Sequence, residues 1–205
     1  MRTLTRVQRG LETLYRVDTG VEIGDFVVGT DLRDELVSAR RPREQLLVQE
    51  EDGEMSIALF LDPAVIDRLE ARAHDFGDFL LAIEGVSHFI YTVRCARAER
   101  PVSQLELELQ AEVDKYITCL LTTEPAPAQS AKLRRRLFDD ADYEPDLDHE
   151  EQHRYRAAND NANRYAAWLE DTFVARRRIP EMLAEVRKFY RLGLAAKLST
   201  IARAS

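Results

Sequence analysis

Long apolar runs, cysteines and clustered glycines are all scarce in this chain. No stretch approaches the roughly 18 consecutive apolar residues that a membrane span requires, so we expect none. The opening MRTLTRVQRGLETLYRV has neither the uninterrupted apolar stretch nor the cleavage site of a signal peptide. The two cysteines, Cys95 and Cys119, lie inside apolar helical patterns and offer neither a disulfide framework nor a metal knuckle. The eight glycines are scattered, and no GxxxxGK or GxGxxG phosphate loop occurs. Neither a G-x-S-x-G nucleophile nor a Cys–His arrangement stands out. These absences leave a soluble, cytoplasmic protein as the expectation.

What is present is apolar residue enough, 45% of 205, to bury a core. The net charge of −8 is unevenly spread. Residues 151–205 hold eleven Lys or Arg against six Asp or Glu, a net of +5, which leaves −13 on residues 1–150. Such a split marks either a basic binding face or two mutually attracting halves of one domain. Overall acidity argues against DNA and places RNA behind protein partners, because nucleic-acid binding rests on phosphate neutralisation.

Periodicity sets the fold class. Leu4, Val7, Leu11 and Leu14 share one helical face. A short strand is expected at 25–28. A hairpin follows near 45–61, QLLVQE and EMSIALFL joined across Asp52-Gly53. Asp62-Pro63 opens a helix. From there the pattern is helical: a wide apolar face through Phe79, Ile83, Val86, Ile90 and Val93, then a break at Arg100-Pro101. Ser103 and Glu106 read as a capping box for the next helix. Pro and small residues make 124–130 a linker, and Ile179-Pro180 opens a last helix with Leu183, Val186, Tyr190, Leu194 and Ile201 on one side. The expectation is an α+β protein: a small N-terminal antiparallel sheet with a predominantly helical C-terminal bundle. We expect an α+β region at 1–123 and a helical region at 131–205, basic after 151, with one continuous domain as the alternative.

Four constellations carry possible chemistry. The first is HEEQH at 149–153, the zinc-peptidase spacing in which His149 and His153 bind metal and Glu150 is the base. Its surroundings disagree: Glu151 sits between the histidines, and Asp146, Asp148, Arg154 and Arg156 flank them. At about 100° per residue, Leu147, Tyr155, Ala158, Ala162, Tyr165, Leu169 and Phe173 form an apolar stripe, and the two histidines fall opposite it. Glu170 is the candidate third ligand, and a continuous helix puts it about 25 Å from His153. Only a break at Asn159–Asn161 would bring it back. The second is an EF-hand-like spacing of Asp140, Asp142, Glu144, Asp148 and Glu151. Pro145 holds the place of the essential glycine, and its fixed φ cannot make that turn. Carboxylates gathered at a helix N-terminus explain the run better.

The third is Glu84 and His88 on one helix with Glu108 and Glu112 on the next, a buried polar cluster or a carboxylate–imidazole metal site if the helices pack antiparallel. The fourth is RYRAANDNANRYAAWLE, where Arg154, Tyr155, Arg156, Asn159, Arg164 and Trp168 form a candidate interaction surface. By elimination the expectation leans away from an enzyme, with no cofactor. It is a cytoplasmic adaptor or regulatory protein that binds a protein partner or itself. The alternatives are a zinc-dependent hydrolase at 149–153 and an RNA-binding protein using 154–168.

Overall fold

The computed structural model describes residues 1–36, 42–51, 53–123, 125–140 and 148–204. The chain divides into two compact units. Met1–Thr13 and Val17–Pro101 form the first, and Leu14–Arg16 and Val102–Ser205 form the second.

The first unit is the α+β part. Helix α1 (Arg2–Tyr15) begins it, and Leu4, Val7 and Leu11 turn their shared face inward as their spacing predicts. After a 3₁₀ turn at Ile23–Asp25 come β1 (Val27–Val28) and α2 (Thr30–Leu36). The hairpin is β2 (Glu44–Glu51) and β3 (Glu54–Leu61). Glu51 pairs with Glu54, and Gly53 between them takes φ 81°, where a side chain would be strained; Asp52 of the expected turn lies outside the described residues. Asp62 accepts a hydrogen bond from Ala64 N at 2.8 Å and caps α3 (Pro63–Glu70), with proline at the start of the helix.

The sheet order is β1-β3-β2, with β3 in the centre. β2 and β3 are antiparallel as expected, but β1 runs parallel to β3, Val27 against Leu59, so the sheet is mixed. The reason is the order of the strands: β2 starts at the end of the sheet where β1 finishes and runs opposite to it, so β3, reversing again at the hairpin, runs in the direction of β1. Burial along β3 rises to Leu59, Phe60 and Leu61.

Against β2 and β3 packs α4 (Phe76–Arg97). A Cβ on Gly85 would lie 3.1 Å from Glu44 Cγ and 3.2 Å from Leu59 Cδ1, so this glycine is what lets helix and sheet approach. Among the described residues α4 alone is long and apolar enough to cross a membrane. Some 67% of its most apolar window is buried within the fold, as befits a core helix.

Among its described residues the second unit has only helical elements: α5 (Gln104–Thr122), α6 (Pro127–Arg134), α7 (His149–Leu169), α8 (Ile179–Tyr190) and α9 (Leu194–Ala204). Ser103 Oγ accepts from Glu106 N at 3.3 Å and starts α5. π-helical turns, Arg135–Asp139 and Glu170–Val174, extend α6 and α7. Helix α5 is buried on several faces and packs along α7, with α6 beside it.

Two expectations shift here. The stretch read as a linker contains the first turn of α6, because Pro127 fits a helix start as well as a loop. Ser130 within it is fully buried. The last helix is two helices, interrupted at 191–193 where Gly193 weakens helix propensity.

Candidate functional site

Helix α7 runs without interruption from His149 through Asn159–Asn161 to Leu169. Its burial follows the phase expected of it: Ala158, Ala162, Tyr165, Leu169 and Phe173 face inward, while His149, His153, Arg156, Asp160 and Arg164 are exposed. Glu150 is exposed as well. Continuity leaves Glu170 about 25 Å along the axis from His153. Its carboxylate is engaged elsewhere, accepting from Ser130 Oγ at 2.6 Å. The zinc spacing at HEEQH therefore gains no third ligand from Glu170. Asp148 and Glu151 instead form a reciprocal cap. Asp148 Oδ1 accepts from Glu151 N at 2.8 Å, and the Glu151 carboxylate accepts from Asp148 N at 3.1 Å. Asp142, Glu144, Pro145, Asp146 and Leu147 of the EF-hand-like spacing lie outside the described residues.

Of the Glu84, His88, Glu108, Glu112 set, the first two residues belong to the first unit and the last two to the second. In the first, His88 Nδ1 lies 3.4 Å from Glu44 Oε1 of β2, each side chain 8% exposed. In the second, Glu112 accepts from Lys115 Nζ at 2.8 Å, one turn away. The 154–168 surface is also divided. The Asn159 amide donates to Phe138 O at 3.0 Å and is buried. Tyr155 and Trp168 are half-buried, the Trp168 ring meeting Phe173 edge-on at 5.4 Å. Arg156 and Arg164 remain outward.

Two features of the second unit escaped sequence reading. The first is a buried polar network. Tyr15, from the last turn of α1, donates its hydroxyl to Asp114 of α5 and stacks on Tyr190 at 3.8 Å. Gln110 Nε2 donates to the same carboxylate at 2.7 Å, and Gln110 Oε1 accepts from Lys197 Nζ at 2.6 Å. Lys197 is 0% exposed, and its ammonium lies 5.3 Å from the centre of the Phe189 ring. Burial, then the Asp114 charge, push the Tyr15 hydroxyl pKa well up. The signal was in the last helical stripe: Leu194 and Ile201 are seven apart, and the position that continues the stripe between them is Lys197.

The second feature is a shallow groove along α8. Ile179, Pro180, Leu183 and Ala184 form its apolar half, and Arg16, Arg187, Lys188 and Arg191 its basic half. Its geometry follows from the helix terminus it caps. The last carbonyls of α1 have no partners within that helix. Arg187 Nε donates to Leu14 O at 2.6 Å, and Arg191 Nη2 donates to Tyr15 O at 3.1 Å. Arg16 follows immediately, at φ 54°. Burial, chiefly, and then the charges of Arg16 and Arg191 pull the Arg187 pKa down. Among the described residues no carboxylate pairs with Arg16, Arg187 or Arg191, while Lys188 Nζ lies 3.6 Å from Glu185. Compared with protein-family models, curated proteins and solved structures, the chain matches none.

Proposed function

We propose that this chain is a non-enzymatic cytoplasmic interaction protein, an adaptor or regulatory subunit, and that it meets its partner on the α8 groove. The supporting observation is the accumulation of Arg16, Arg187 and Arg191 beside Leu183 without a carboxylate partner among the described residues. Like charges held together raise the energy of the isolated chain, and an opposing partner lowers it on contact. Arginine is also among the residue types enriched at interface hot spots.

A photoreactive phenylalanine analogue at Leu183, activated in living cells, tests the proposal. A discrete protein adduct is expected, absent when the analogue is placed at exposed Leu36 in the first unit. No adduct at Leu183, together with a monomeric mass at cellular concentration, sinks it.

A further inference from the structure

The groove has a direction. Helix α8 presents two neighbouring rows of side chains spaced four residues apart. Ile179, Leu183, Arg187 and Arg191 make one row, and Pro180, Ala184 and Lys188 the other. Such rows are the ridges between which a second helix seats its own side chains. Both rows are apolar over the first turns and cationic over the last. Pro180 and Ala184 are small, which lets a neighbouring backbone come close. Arg16 adds a further cation at the basic end.

Resting on the interaction function proposed above, we infer that the groove takes an acidic amphipathic helix of a partner protein. One end of that helix carries leucine-like side chains and the other carries carboxylates. The apolar end covers Ile179 and Leu183, and the carboxylates pair with Arg187, Arg191 and Arg16. The planar fork of Arg16 suits a carboxylate with two parallel hydrogen bonds, while Arg187 and Arg191, which also donate to backbone carbonyls, contribute their remaining N–H groups and their charge. A phosphate backbone would leave the apolar half of the groove uncovered. The lining also holds no aromatic ring on which a base could stack.

The test uses the full chain and fluorescently labelled synthetic helices of about 16 residues, four turns and a little more. One places Leu and Ala in its first half and Glu in its second. A second carries Lys in place of Glu, and a uridine dodecamer stands for nucleic acid. Anisotropy should show the acidic helix bound at least about tenfold more tightly than the lysine helix, and weakened as salt rises from about 50 to about 500 mM. The Arg16→Glu/Lys188→Glu double variant should lose about tenfold in affinity with its circular dichroism unchanged, since both side chains point outward. Leu183→Gln should weaken binding at the other end of the groove. Equal binding of the lysine helix, preferential binding of the RNA, or no loss in either variant overturns the inference. So does concentration-dependent dimerisation that competes with the peptide, because the occupant would then be a second copy. If the peptide fails while the adduct at Leu183 persists, the partner has another chemistry and the interaction proposal stands. If both fail, both fall.

Discussion

At the residue scale the second unit turns on Lys197. A fully buried ammonium is costly unless it is hydrogen-bonded and balanced. Here it donates to Gln110, which in turn donates to Asp114, so the cation and the carboxylate share one amide between them. Lys197→Met removes the donor to Gln110 and the positive charge that Gln110 links to Asp114. We expect a loss of about 2–4 kcal/mol in urea unfolding. Lys197→Met combined with Asp114→Asn should cost less than the two single changes together by about 1 kcal/mol or more. Strict additivity would show that the two residues do not communicate through Gln110. This network was only half legible in the sequence. Lys197 falls on an apolar stripe, an anomaly that spacing alone exposes. Asp114 and Gln110 look like solvent-facing residues of an amphipathic helix until α5 is seen to be buried on several sides.

At the element scale, local signals were read more faithfully than pairings. The hairpin announced itself through Asp-Gly between apolar runs. The inward stripe of α7 was visible because helical phase propagates over 21 residues. The parallel pairing of β1 was not visible, since two residues carry no register of their own and find their partner only in the assembled sheet. A further element contact that no local pattern shows is the clasp at the start of α4. Arg68 of α3 donates twice to Asp78, at 2.6 and 2.7 Å, and Arg43 donates once at 3.2 Å. The Arg68 hydrogen bonds, chiefly, pull the Asp78 carboxyl from its usual 3.8 down to about 2. A carboxylate with a depressed pKa stabilises the fold above its unfolded value. That stability is lost as pH falls from near 4 through about 2. The clasp contributes about 1–2 kcal/mol on this basis. Acid unfolding of the chain should therefore steepen between pH 4 and 2, and Asp78→Asn should flatten the profile there. An Asp78→Asn profile that overlays the parent's would remove the clasp as the cause.

At the scale of the whole molecule, the two units do not correspond to two halves of the sequence. Leu14–Arg16 are counted with the second unit although the rest of the first hundred residues is not. Cutting at the boundary after Pro101 therefore strips the second unit of Tyr15, whose hydroxyl reaches Asp114 and whose ring lies on Tyr190. A fragment of residues 102–205 should keep its far-ultraviolet helix signal and lose near-ultraviolet tyrosine ellipticity, the mark of loosened packing. In the intact chain Tyr15→Phe should cost about 1–2 kcal/mol, because the ring still stacks while the Asp114 carboxylate loses a donor. A fragment as cooperative and as stable as the full chain would show that the N-terminal contribution is dispensable. There is a temporal side to this arrangement. Tyr15 is translated 99 residues ahead of Asp114, an interval of about 5–20 s at ordinary elongation rates. Closing so long a loop is an entropically late event. Helix α1 is thus completed in instalments: its first turns settle with α3 and the 19–23 segment, and its final turn waits for helices that the ribosome has yet to make.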